Sequence, residues 1–70
     1  MRTVAISHEP TELYKILKFE GLVGSGGEAK TVVANGLVKV NGLVETQKRK
    51  KIVAGDVIEF SEEYFEIQLA

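Results

Sequence analysis

The sequence predicts an α+β domain in which two N-terminal helices pack on a small, mostly antiparallel sheet, with the element order β-α-α-β-β-β-β. Two stretches before residue 36 carry apolar residues at helical spacing, and each is stopped by a glycine, Gly21 or Gly36. After them, apolar and polar residues alternate in four short stretches. The turn pairs Asn41-Gly42 and Gly55-Asp56 punctuate those stretches. Helices segregated from strands in this way define the α+β class.

The elements follow in order. "VAI" (Val4 to Ile6) alternates apolar and small residues and reads as a short strand. Pro10 suits the first turn of a helix, where its missing N–H is no loss, and Glu12 suits the positive end of the helix dipole. In "PTELYKILKFEG", Leu13, Ile16 and Leu17 share one helical face while Lys15 and Lys18 point away from it. Gly21 ends this helix. Ser25 with Glu28 forms a capping box at the start of the second, and Ala29, Val32 and Val33 form its buried stripe. Gly36 is placed as the left-handed C-terminal cap, where a Cβ would be strained. Val38 and Val40 then face the core from a strand that turns Lys39 outward. Asn41-Gly42 supplies the positive φ angles of a hairpin turn. A basic loop leads to "AGDVIEF", a turn into a strand, and "YFEIQL" forms the last strand through Phe65, Ile67 and Leu69. Phe19, Phe60 and Phe65 are expected in the core, and Tyr14 and Tyr64 outside it.

Composition narrows the chemistry. A chain of 70 residues makes one domain, residues 1–70. Such a chain buries only roughly 60% of its unfolded surface, which leaves little material for a deep catalytic cleft. The 44% hydrophobic and 27% charged residues are those of an ordinary globular domain. Without cysteine there are no disulfides, thiolate ligands or cysteine nucleophiles, and the single histidine, His8, cannot hold a metal alone. His8 also lacks a serine, cysteine or ligand partner at a recognisable spacing, so no catalytic residue, metal or cofactor is expected. No apolar stretch has the length of a signal peptide or a membrane span, which favours the cytoplasm.

Charge is distributed unevenly along the chain. The net charge is −1, yet Glu28 to Lys51 holds six basic residues against two acidic ones, a local charge of +4. From Ile52 to Ala70 five acidic residues meet no base, a local charge of −5. The positive centre is Lys48, Arg49, Lys50 and Lys51, a run that gains affinity for a polyanion by releasing its counterions. The aromatic residues lie outside that run, which favours reading the backbone or shape of structured RNA over base stacking.

The residues from Leu13 to Ile58, "LYKIL", "EGL", "SGGEAK", "NGLVKVNG" and "VAGDVI" in that order, resemble the alpha-L RNA-binding domain. This is the module named after the small-subunit ribosomal protein S-four. "KFEG", "ETQKRKKIVAG" and the short length are most similar to its small stand-alone bacterial members of the YbcJ type. The resemblance implies a non-catalytic protein that binds structured RNA in a ribosomal RNA or tRNA context. A monomer is expected, with ribosome-associated proteins as further candidate partners. It implies RNA contacts at Lys30 in the second helix, Lys39 between two strand valines, and Lys15 in the first helix. Lys18 and the run Lys48 to Lys51 join them by charge. The chain departs from the family at Glu12 and Gly26, where members often carry arginine. Two other classes compete with this reading. An adaptor would offer the acidic part, Asp56 to Glu66, to a basic partner. A ubiquitin-like sulfur carrier needs a C-terminal Gly-Gly where this chain ends "EIQLA".

Overall fold

A computed structural model describes residues 1–70 and bears out the fold class. Strand β1 (Arg2–Ile6) leads to β2 (Thr11–Glu12), helix α1 (Leu13–Phe19) and helix α2 (Gly26–Ala34). Five strands follow: β3 (Val38–Val40), β4 (Leu43–Val44), β5 (Lys51–Ile52), β6 (Val57–Phe60) and β7 (Glu63–Leu69). The main sheet has the order β1-β7-β6-β3-β4, with β1 parallel to β7 and every other pairing antiparallel. No helix is long and apolar enough to cross a membrane.

Two elements go beyond the expected order. β2 and β5 form a separate antiparallel pair, Thr11 opposite Ile52 and Glu12 opposite Lys51. Two residues carry no period, so alternation could not reveal them. This pairing also moves the start of α1. Pro10 does not open the helix; it precedes β2, and Glu12 becomes the residue before the first helical turn, with no side-chain cap bond.

Both helices end as their glycines dictate. Gly21 has φ +71° and Gly36 φ +76°. After α1, the N–H of Gly21 donates to the Lys18 carbonyl and that of Leu22 to the Leu17 carbonyl. After α2, Gly36 donates to Val33 and Leu37 to Val32. This double bond pattern satisfies the last carbonyls of each helix and requires a left-handed residue at its centre. A Cβ on Gly36 would meet Val44 Cγ1 at an ordinary 3.5 Å, so its cost is conformational rather than steric. Gly36→Ala should destabilise the domain by about 1 kcal/mol, read as a lower denaturant midpoint. The start of α2 follows the capping box with one change. Ser25 Oγ accepts from the Glu28 N–H at 3.1 Å, but Glu28 Oε1 accepts from Gly24 at 2.6 Å, one residue ahead of Ser25.

The core lies between the helices and one face of the sheet. Leu13, Ile16 and Leu17 of α1 meet Ala29 and Val33 of α2 over Val4, Ile6, Val38, Val40, Ile58, Phe65 and Ile67 of the main sheet. Ile52 of β5 completes it. Val32 and Phe60 are half-buried against this cluster. Phe19 departs from expectation: it is 70% exposed. It stands at the last helical position of a seven-residue helix, and Gly21 turns the chain so that Leu22 and Val23 cover the core in its place.

Two hairpins share a turn type that their sequences do not. Asn41 (φ +53°) and Gly42 (φ +84°) join β3 to β4, while Ser61 (φ +53°) and Glu62 (φ +66°) join β6 to β7. Positive φ at both central residues is the requirement of a type I′ turn, which Asn-Gly meets easily and Ser-Glu does not. Replacing Ser61 by Asn and Glu62 by Gly should therefore raise stability by about 1 kcal/mol, measurable as a higher melting temperature.

Candidate nucleic-acid interface

The loop from Glu45 to Lys50 holds its shape through its backbone and the Glu45 carboxylate. The Glu45 N–H donates to the Val38 carbonyl, Glu45 Oε2 accepts from Gln47, and Lys50 donates to the Gln47 carbonyl. Its carbonyls then meet the start of α1. Leu13 N–H donates to the Lys50 carbonyl at 2.9 Å and Tyr14 N–H to the Lys48 carbonyl at 3.1 Å. These are among the donors that a helix start leaves without partners inside the helix. The basic loop thus occupies the place of an N-cap, which is why Glu12 needs no cap bond of its own.

The Glu12 carboxylate is free to act outward. It lies 3.3 Å from Lys15 Nζ and 3.6 Å from an Arg49 guanidinium nitrogen. Beside it, the Tyr14 ring has Lys30 Nζ 4.8 Å and the Arg49 guanidinium carbon 5.7 Å from its centre, within the range of cation–π attraction. One tyrosine and one glutamate therefore gather Lys15 from α1, Lys30 from α2 and Arg49 from the loop. Lys48, Lys50 and Lys51 continue the cluster along the loop and into β5, all three exposed.

The remaining two candidates lie apart from that centre. Lys18 is exposed on α1, and its Cδ passes 3.7 Å from where a Cβ on Gly26 would stand, so its stem crosses the first turn of α2. Lys39 projects from the outer face of the sheet, opposite Val44 on β4 and Glu59 on β6. Of the eight candidates, only Lys15 and Arg49 have a carboxylate within ion-pair distance. The other six can meet an anionic partner without first breaking an internal pair.

Sequence reasoning missed Tyr14. It sits one position ahead of Lys15 on the flank of the apolar stripe, and its place under two cations depends on a loop 35 residues away. The acidic part is more broken up than its sequence suggests. Asp56 accepts from Asn41 Nδ2 and the Val53 N–H, and Glu63 pairs with Arg2. Glu59 stands across from Lys39. His8 has a neighbour after all, the Ser7 hydroxyl 3.2 Å from Nδ1, but both residues are exposed and no third group orients the ring.

A family description, the S4 domain, matches residues 4–68. The chain belongs to the S4 domain family. Among curated relatives, "Putative RNA-binding protein YbcJ" of Escherichia coli (strain K12) is 48% identical over 62 residues, covering 87% of this chain and 89% of that protein. A Shigella flexneri protein, "Uncharacterized protein YbcJ", matches to the same extent. The solution structure of Escherichia coli YbcJ, described as having an alpha-L motif involved in RNA binding, superposes with a TM-score of 0.72 at 44% identity. It covers all of this chain and 89% of its own. This chain also matches part of the crystal structure of the 30S ribosomal protein S4e from Thermoplasma acidophilum, with a TM-score of 0.62 at 31% identity. That match spans 83% of this chain and 30% of the ribosomal protein.

Proposed function

We propose that this S4 domain is a non-catalytic RNA-binding protein that docks on structured RNA, in a ribosomal RNA or tRNA context, through the surface built by α1, α2 and the loop Glu45 to Lys50. The observation that carries the reading is the convergence of Lys15, Lys30 and Arg49 on Tyr14 and Glu12, with Lys48, Lys50 and Lys51 beside them. The chain has a net charge of −1, so this concentration is local and does not follow from overall composition. The description of YbcJ as an RNA-binding protein supports the same reading.

Ion pairs and cation–π contacts hold the inner cations in place, and unpaired lysines surround them. A surface of this kind suits phosphates spaced along a folded RNA, because the cations are oriented before the ligand arrives and less side-chain freedom is lost on binding. The protein acts as a monomer in the cytoplasm. Binding to a labelled RNA hairpin should weaken linearly with the logarithm of salt concentration, with a slope near −4 for about five phosphate contacts. Crosslinking in cells followed by sequencing should recover ribosomal RNA or tRNA. Affinity insensitive to salt would overturn the reading.

A further inference from the structure

We propose that the RNA surface extends past Lys15 to Phe19, which stacks on an unpaired base, so that the ligand is a folded RNA carrying a bulged or splayed-out nucleotide. The inference rests on the RNA-binding reading above and names the class of RNA. Phe19 is the most exposed aromatic residue of the chain, at 70%. It lines an open surface groove together with His8, Pro10, Lys15 and Lys51. Glu12 lines the same groove and links it, through Arg49, to the cluster around Tyr14.

The chemistry of the walls selects the occupant. Glu12 offsets Lys15 at 3.3 Å, and Lys51, which has no carboxylate partner, leaves the walls net positive, so an anionic chain is favoured over an apolar peptide. An open phenyl ring among cations offers a stacking face to a base whose phosphates lie on the lysines. Tyr14 offers no such face, being already engaged by Lys30 and Arg49. Bases within an A-form helix are covered on both faces by their neighbours. Only an unpaired nucleotide can reach Phe19.

The test uses two probes, a labelled RNA hairpin of about 12 base pairs closed by a polyethylene-glycol linker, so that it has no unpaired loop base, and the same hairpin with one bulged adenosine. The parent protein should prefer the bulged hairpin by roughly five- to a hundredfold, the range expected for one stacked base. In Phe19→Ala the ratio of the two affinities should fall to about one, and in Phe19→Leu, which keeps the apolar bulk without the ring, it should fall nearly as far. Circular dichroism checks that both variants fold, as the exposure of the side chain predicts. Phe19→Trp should keep the preference. Because the chain has no other tryptophan, its fluorescence should be quenched by the bulged hairpin and not by the plain one. A preference that survives in Phe19→Ala, or an unquenched Phe19→Trp, overturns the proposal. Equal, salt-sensitive binding of both hairpins by the parent also overturns it, leaves RNA binding intact and gives Phe19 to a protein partner. Binding of neither hairpin overturns both readings.

Discussion

Replacing Lys48, Arg49, Lys50 and Lys51 together by glutamine should flatten the dependence of log affinity on log salt by roughly 2 to 3 units, if about three of the four bases meet phosphate. Between about 50 and 200 mM salt the parent should then lose about thirtyfold more affinity than the variant. The fold should survive, because the loop holds α1 through the main-chain carbonyls of Lys48 and Lys50, which glutamine retains. The lost Arg49–Glu12 pair is partly exposed and contributes about 1 kcal/mol at most. Melting temperatures close to the parent's, with affinity reduced alike across RNA sequences, are the expected outcome. An unchanged slope would make the run a solvated loop and leave binding to Lys15, Lys18 and Lys30.

Asn41→Ala should cost about 2 to 3 kcal/mol, a large stability loss for an exposed residue. Its φ of +53° favours Asn, and its side chain does more than permit the turn. Oδ1 accepts from the Val57 N–H at 2.9 Å, Nδ2 donates to Asp56 at 3.0 Å, and its own N–H donates to the Val57 carbonyl at 2.7 Å. The β3–β4 hairpin is thereby fastened to the turn from Val53 to Asp56, whose Gly55 has φ +95°. Alanine removes both side-chain bonds and strains the backbone. Asn41→Gly relieves the strain alone, so it should recover about 1 kcal/mol of the loss. Denaturant unfolding of the three proteins checks the order; an Asn41→Gly variant no better than Asn41→Ala would show that the side-chain bonds account for the whole effect.

Where a residue's own chemistry favours one conformation, the sequence announced it, whereas the positive φ angles of Ser61 and Glu62 had no such signal. Gly21, Gly36 and Asn41-Gly42 have the backbone angles that their chemistry implies. The stripe of Leu13, Ile16 and Leu17 is buried, as 3.6-residue spacing requires. What could not be read depends on distant partners. Pro10 and Glu12 carry good helix-start signals, yet β5 draws Thr11 and Glu12 into a strand pair and delays the helix to Leu13. Phe19 falls at i+3 from Ile16, a core position in a longer helix, but no element remains to cover it. The candidate site divides the same way. Its charges were visible as a run, whereas the roles of Tyr14 and Glu12 appear only when residues 48–50 are folded against the start of α1.

The placement of β7 governs when this domain can come into being. β7 is the last strand made, yet it stands between β1 and β6 and is the only neighbour β1 has in the sheet. Until Phe65 and Ile67 are available, the first strand has nothing to pair with and the core lacks its largest buried side chain. During synthesis, then, a nascent chain that reaches Ser61 can turn its helices and its first hairpin, but it leaves Val4 and Ile6 uncovered. The sheet therefore cannot close until Phe65 and Ile67 have cleared the ribosomal exit tunnel, and every earlier element has to wait for them.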